Sequence, residues 1–311
     1  MKVLILGGSR FIGKKLALRL LESGVDVITS SRRENLDFPA DRQIVSEREN
    51  LSGKLFNNQE FDFVIDFTCY NSDQLIGFSK VLMPSNYFLI STSWIGRKNY
   101  GAKSHLESKA LLEGVLTPTE SSYVNAKLES EVIARQVFRD GATIIRLPIV
   151  IGEGDHHHRL DFYAHRLEYI NRPLLVNNGE NQVHTVWVED VVKLLGDVLD
   201  LQSEMRPKII SFVPPSSIFL KTLVTTLANS RGIEAHFTPI QSDIFEKCLP
   251  ILAQVEPFWR EAPCEQVATS IWDLLETEPT PWDDVFNEMQ FNYSFSAQQI
   301  EGMLEEKNYL D

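Results

Sequence analysis

The first thirteen residues constrain the fold more than any other stretch of the chain. Lys2-Val3-Leu4-Ile5-Leu6 is a short apolar run that reads as a buried β-strand. It passes directly into Gly7-Gly8-Ser9-Arg10-Phe11-Ile12-Gly13 and then into a helical pattern over residues 14–21. A strand, a glycine turn and a helix in succession aim unpaired backbone N–H groups, at the positive end of a helix dipole, at an anion such as a pyrophosphate. In that geometry Gly7 permits the tight turn, Gly8 or Ser9 lets the backbone approach the phosphates, and Gly13 lets helix and strand pack closely. Where such turns usually carry a middle glycine, this chain has Arg10. Its long side chain must leave the turn, towards the neighbourhood of an adenosine ribose.

Alternation extends the pattern. Strand-like segments follow at residues 25–30, 43–45, 63–66, 87–91 and 142–147, with helical patterns at 11–23, 72–82 and 126–139. Strands alternating with helices imply crossover units and a parallel sheet covered on both faces. The fold class is therefore α/β, a Rossmann-type doubly wound parallel sheet with a smaller, mixed C-terminal lobe. Residues 1–152 read as the dinucleotide-binding domain. Residues 183–188, a helix to 199 and the run 209–212 read as a return to the sheet, which is completed by about 183–212. Residues 153–182 and 213–311 read as a substrate-binding lobe, with 276–284 as a surface loop.

With 311 residues, 43% of them hydrophobic, the chain can bury a substantial core. A net charge of −13 argues against nucleic acid and anionic membranes as partners, since both call for excess basic charge. No apolar run reaches the ~20 residues of a membrane span. No secretory leader is visible. Cys69, Cys248 and Cys264 are few and irregularly spaced, forming neither a disulfide framework nor a zinc pattern. These features predict a cytoplasmic protein with no metal.

The chemistry-bearing pair is Tyr123 and Lys127, four apart at the start of a predicted helix and so on one face of it. A cation beside a phenol lowers its pKa towards a usable acid or base. The alternative is a solvated helix face. Upstream, the apolar strand over 87–90 ends in Ser91-Thr92-Ser93, which puts a hydroxyl at a strand's carboxyl end, where ligands of such sheets bind.

Together these motifs resemble the short-chain dehydrogenase/reductase superfamily in its extended, epimerase/dehydratase-like branch. The resemblance rests on Gly7-Gly8-Ser9-Arg10-Phe11-Ile12-Gly13, Ile90-Ser91-Thr92 and Tyr123-x-x-x-Lys127. Arg146-Leu147-Pro148 before Gly152 and Val188-Glu189-Asp190 add to it. The matches span roughly the first 200 residues. They imply a nicotinamide cofactor, Tyr123 as acid/base, Lys127 on the nicotinamide ribose and Thr92 as hydroxyl partner, with Ser91 and Ser93 in reserve. The implied cofactor contacts are Gly7, Ser9, Arg10, Phe11, Ile12, Gly13, Lys127 and Pro148, with Phe67 and Thr68 along the central part and Glu47 at the adenine. The glycine variant is similar to that of bacterial and plastid members described only as epimerase-like, and some plastid relatives bind RNA. The family also implies a homodimer built on helices 72–82 and 126–139, with a monomer as the alternative.

The end of strand two reads Thr29-Ser30-Ser31-Arg32-Arg33, with no acid to hold ribose hydroxyls. Ser31, Arg32, Arg33 and Arg10 would suit a 2′-phosphate, which favours NADP(H) over NAD(H). For the substrate, a small or sugar-like molecule, the candidates are Ser93, Trp94, Asp155, Arg159, His184 and Trp187, beside the run His156-His157-His158. Consecutive histidines rarely converge on one ion, so an exposed loop is the reading for that run. Arg159 either binds an anionic substrate group or pairs with Asp161 or Glu168. Ser93-Trp94 stands where sugar 4,6-dehydratases carry an Asp-Glu pair, which disfavours elimination. A reductase leads, an epimerase with tightly held cofactor follows, and a non-catalytic dinucleotide- or RNA-binding module is the reading from another class.

Overall fold

The structure is a computed structural model, and it describes residues 1–57, 59–96, 122–170, 172–259, 268–291 and 293–310. Cys264 lies outside the described residues. From the N-terminus run β1 (Lys2–Leu6), α1 (Phe11–Glu22), β2 (Asp26–Ser31), β3 (Gln43–Val45), β4 (Phe63–Asp66), α2 (Ser72–Ser79), β5 (Asn86–Thr92), α3 (Ser122–Phe138) and β6 (Ala142–Leu147). Next come β7 (Ile149–Ile151), α4 (Arg159–Tyr169), β8 (Leu174–Val176), β9 (Gln182–Val183), β10 (Thr185–Trp187), α5 (Val188–Asp200) and β11 (Ile209–Ser211). The remainder holds β12 (Ile218–Phe219), α6 (Leu220–Ser230), β13 (Thr238–Ile240), α7 (Ser242–Cys248), α8 (Pro250–Val255), β14 (Thr269–Ser270), α9 (Ile271–Leu274), α10 (Trp282–Glu288) and α11 (Ala297–Leu310).

The chain divides into two compact units. Met1–Pro148, Val188–Val213 and Cys264–Thr277 form the first, and Ile149–Trp187, Pro214–Pro263 and Glu278–Asp311 form the second. The first unit is an eight-stranded sheet in the order β14-β11-β6-β5-β4-β1-β2-β3. Every neighbouring pair in it is parallel. Its central strands are largely apolar because crossover helices cover both faces, and β4 and β6 are buried at every residue, Asp66 and Arg146 included. Leu75 and Phe78 of α2 and Ala134 and Phe138 of α3 close an apolar cluster with Leu4, Val64, Leu89 and Ile144. α1 packs against α5, and α2 against α3. β1 lies between β4 and β2, so the chain leaves it in opposite directions, and this switch point opens a crevice at the carboxyl ends of the strands.

Two expectations need correction here. Residues 183–188 do not rejoin the sheet; β9 pairs with β12 and β10 with β7, in the second unit. Of the late strands, β11 enters the sheet, and β14, from a region read as substrate lobe, takes its outer edge. A third difference is local. α3 begins at Ser122 rather than 126, which places Tyr123 in its first turn.

Among the described residues, the second unit contains three two-stranded pairs. Its apolar cluster joins Phe162 of α4, Leu174 and Val176 of β8, Phe245 of α7 and Leu252 of α8. Arg166 on α4 donates from Nε and Nη2 to the two carboxylate oxygens of Glu306 on α11, both at 2.6 Å. Glu306 Oε1 also accepts the Leu174 amide at 2.6 Å. Both side chains are buried, so this pair fixes α11 against α4 and β8. Among the described residues, no helix is long and apolar enough to cross a membrane.

Candidate active site

The β1–α1 turn is shaped by what cannot carry a Cβ. Gly7 has φ +97°, a left-handed conformation that side chains resist. A Cβ on Gly13 would lie 2.3 Å from the Gly7 carbonyl oxygen, so the first turn of α1 sits directly on the strand end. Arg10 caps α1 in an extended conformation with no side-chain hydrogen bond, and no acid stands in the first turn. The helix N-terminus therefore offers its N–H groups and dipole to an external anion. Arg10 is exposed, as expected of a side chain that leaves the turn.

At the end of β2 the Ser31 hydroxyl donates to the Arg33 carbonyl at 2.7 Å. Arg32 and Arg33 are exposed. Arg32 Nε lies 4.0 Å from Glu47 Oε2, with 74% and 56% of the two side chains accessible. The structure thus brings together two residues assigned to separate cofactor contacts.

The end of β4 holds residues that the sequence reading did not single out. Asp66 is fully buried and receives Arg48 in a fork, Nη1 to Oδ1 at 2.8 Å and Nη2 to Oδ2 at 2.7 Å. The Thr68 amide at 2.9 Å and the Tyr87 hydroxyl also donate to Asp66. The Arg48 guanidinium and these donors hold the Asp66 carboxyl below its ordinary range, against the opposing cost of burial, which is the largest single influence. Burial and the Asp66 charge push the Tyr87 phenol up, so it remains a donor. Thr68 Oγ1 is also bonded by Arg48 at 3.0 Å. The signal available in the sequence was a carboxylate ending the otherwise apolar Phe63-Val64-Ile65 run, since a buried carboxylate needs a cation.

Thr92, the last residue of β5, lies near enough to the Tyr123 phenol to oppose the rise in its pKa. The Trp94 amide donates to Thr92 Oγ1 at 3.2 Å, and the Trp94 ring stands edge-on to Tyr123 with centroids 6.0 Å apart. Ile95, Val124 and Leu128 form the small apolar cluster that seats this turn on α3. Ser91 is turned away and donates to Glu131 Oε1 at 2.6 Å. Glu131 in turn receives Arg146 Nε at 3.0 Å and Nη2 at 2.7 Å, with both side chains 1% exposed. Glu131 was also missed. Its signal was spacing, because residues 123, 127 and 131 form one stripe along α3.

Lys127 is tied to backbone carbonyls. Its ammonium, 4% exposed, donates to the Cys69 carbonyl at 2.6 Å and the Ile90 carbonyl at 2.9 Å, and lies 5.3 Å from the centre of the Tyr70 ring. Burial lowers its pKa. Tyr123 is not drawn down by a neighbouring cation. Burial raises its pKa, the Tyr70 phenol adds to the rise, and the Thr92 hydroxyl opposes it. Tyr123 is thus a neutral phenol, more weakly acidic than a free tyrosine.

Of the remaining candidates, Phe67 and Thr68 are half-buried at the carboxyl end of β4, Ser93 is buried beside Thr92, and Pro148 is buried after β6. Lys15 on α1 pairs with Glu189 on α5 at 2.7 Å. Asp155, Arg159 and His184 belong to the second unit. Arg159 pairs with the buried Asp155 at 2.9 Å, and not with Asp161 or Glu168. Asp161 accepts from His158 at 3.2 Å, and Glu168 pairs with Arg231. His157 is held down at about 4 by burial and by the charges of Arg159 and His156. Burial also lowers His184.

No protein-family model and no curated protein sequence matches the chain. Solved structures do. A UDP-glucuronic acid 4-epimerase from Bacillus cereus, in complex with UDP-glucuronic acid and NAD, superimposes with a TM-score of 0.65 at 18% identity, covering 93% of this chain and 98% of the other. A dTDP-glucose 4,6-dehydratase from Bacillus anthracis in complex with NAD gives 0.65 at 14% identity over 93% and 95%. A UDP-glucose 4-epimerase from Thermotoga maritima gives 0.63 at 15% identity over the whole of both chains. The chain therefore has the fold of these epimerases and dehydratases.

Proposed function

We propose that the protein is an NAD-dependent oxidoreductase of the epimerase type, acting at a secondary carbinol of a sugar-like substrate carried on a nucleotide. The observation that carries this reading is the gathering of Thr92 and Tyr123 about Trp94 at the carboxyl end of β5, the Trp94 amide on Thr92 Oγ1 at 3.2 Å and its ring 6.0 Å from that of Tyr123, in the sheet whose β1–α1 turn is open to a pyrophosphate. Bound NAD would supply the hydride acceptor and donor. Tyr123 exchanges the proton of the substrate hydroxyl, as a neutral donor in the reductive direction, and Thr92 orients the oxygen. Gly7 to Gly13 hold the pyrophosphate, Phe67 and Thr68 line the central part, and Lys127 holds the nicotinamide ribose.

NAD replaces the NADP(H) preference drawn from the arginines. Glu47 stands against Arg32, and the neighbours that hold a dinucleotide hold NAD. Ser93 and Trp94 give no acid and base after Thr92, which disfavours elimination. The second unit is assigned to substrate binding, with Arg159 and His184 as candidates. α2 and α3 are assigned to a homodimer interface, which sedimentation would test.

The test is incubation of purified protein with a panel of UDP- and dTDP-sugars without added cofactor, together with assay of NAD released on denaturation. An epimer product and recovered NAD are expected. Tyr123→Phe should retain cofactor and lower turnover by at least about 100-fold. Net consumption of NADPH with simple carbonyls would restore the reductase reading. Failure to bind either dinucleotide would leave a non-catalytic module.

A further inference from the structure

Arg48 opens the short turn Arg48–Asn50 after β3, one residue beyond Glu47. Its side chain is 11% exposed. Beyond the fork on Asp66, its guanidinium makes two further hydrogen bonds. Nη1 donates to Thr68 Oγ1 at 3.0 Å, and Nη2 donates to the Gln74 carbonyl of α2 at 3.2 Å. Its Cζ lies 5.6 Å from the centre of the Phe78 ring, also on α2. One side chain thus joins the segment after β3, the end of β4 and α2. A buried charge bonded in this way holds its partners in one arrangement.

Thr68 is the partner whose orientation matters. A hydroxyl has one hydrogen to give. The Thr68 hydroxyl gives it to Asp66 Oδ1 at 3.1 Å while accepting from Arg48. The Thr68 amide ends on the same Asp66 oxygen at 2.9 Å. With Oγ1 committed, the methyl is left one direction, because the branch at Cβ restricts χ1. That direction is towards Gly7. A Cβ placed on Gly7 would lie 2.8 Å from Thr68 Cγ2 and 3.1 Å from Phe67 Cβ. Gly7 is also held from two other sides. Its amide donates to the Ser30 carbonyl of β2 at 2.7 Å, and Gly13 packs on its carbonyl oxygen. The Thr68 methyl closes the third side of the glycine turn.

We propose that Arg48 is a positioning residue for dinucleotide binding: it commits the Thr68 hydroxyl to the buried pair, sets the Thr68 methyl against Gly7, and so fixes the turn that receives the pyrophosphate. Thr68 then serves the turn with its methyl, and its hydroxyl is not a ligand of the cofactor. This rests on the dinucleotide reading given above.

The test is calorimetric titration of the full chain with NAD, paired with chemical denaturation of the same variants. Thr68→Ser keeps the hydroxyl and removes the methyl. Thr68→Val keeps a methyl and removes the hydroxyl. Thr68→Val should lose more folding stability and less NAD affinity than Thr68→Ser. Stability and affinity falling in the same order would give Thr68 a structural role alone and overturn the proposal. Arg48→Lys keeps the charge without the fork. It should weaken NAD binding about tenfold in the unsubstituted protein and by less than about twofold once Thr68 is changed to serine, because the methyl it positions is already gone. Equal losses in the two backgrounds would sink the proposal and leave the dinucleotide reading intact. Carbon-13 labelling of threonine methyls adds a reading that needs no ligand, with the Thr68 signal assigned by its loss in Thr68→Ser. Three-bond couplings from Cγ2 to the backbone N and C′ should report one χ1 state in the unsubstituted protein and averaging in Arg48→Lys. A single state in both would show that Arg48 does not hold the methyl. An unsubstituted protein that binds neither NAD nor NADP would instead remove the dinucleotide reading, and the role of Arg48 with it.

Discussion

The two halves of the carboxyl edge of the main sheet treat charge in opposite ways. Around β1, β2 and β3 the charged groups Arg10, Arg32, Arg33 and Glu47 are all exposed. Around β4, β5 and β6 the groups Asp66, Lys127, Glu131 and Arg146 are buried, and each is bonded to a partner from another element. Exposed charge is cheap to carry and adapts to a ligand that brings its own charge. Buried charge is costly unless fully partnered, but once partnered it fixes geometry. The first half suits the recognition of a phosphate-bearing molecule that comes and goes. The second half suits chemistry that depends on the relative placement of a hydroxyl, a phenol and an ammonium.

The sharpest way to break this contrast is to unpair a buried charge. Glu131→Ala leaves Arg146 without its two hydrogen bonds, in a place where Nη1 already lacks a partner among the described residues. It also strands the Ser91 hydroxyl beneath Thr92. Chemical denaturation should show a loss of about 3–5 kcal/mol. A loss under about 1 kcal/mol would mean that this half is as tolerant as the other.

This pair also marks where legibility ended. The glycine turn, the parallel alternation and the Tyr123/Lys127 spacing are local patterns, and local patterns can be read from a chain. Glu131 and Arg146 lie 15 residues apart on different elements; the packing of α3 on β6 brings them together, and the β5–β6 register, which sets Ser91 opposite Arg146, adds the third member. Arg48 and Asp66 are joined in the same way, by a short segment after β3 folding over the end of β4. Residues 183–188 misled because two or three alternating apolar residues fit a main-sheet strand and a small second-unit pair equally well. The i, i+4 spacing of Tyr123 and Lys127 fixes a helix face but says nothing about the carbonyl acceptors supplied by the segment after β4 and by β5.

A second test uses pH. The Asp66 carboxyl is held below its ordinary value of 3.8 in the folded protein. A depressed carboxylate contributes stability that is fully present above the unfolded-state pKa and is lost as pH falls through the folded one. Stability measured from pH 6 down to pH 2 should therefore fall, and Asp66→Asn should be less stable at pH 6 with a shallower acid limb. An unchanged acid limb would show that Asp66 is not anchoring this half electrostatically.

The smallest effect belongs to the exposed half. Arg32 and Glu47 meet at 4.0 Å with most of both side chains in water, and pairs of this kind are screened and contribute little. Arg32→Gln should change folding stability by no more than about 0.5 kcal/mol. Calorimetric titration at low and high salt should show NAD affinity nearly unchanged, because NAD has no 2′-phosphate for a guanidinium to meet. NADP is the discriminating ligand. If Glu47 already neutralises this end, NADP should bind more weakly than NAD before the substitution and lose little more after it. A large, salt-sensitive loss of NADP binding in Arg32→Gln would mean that Arg32 leaves Glu47 for the phosphate. The exposed half would then select the cofactor, and the assignment to NAD would reverse.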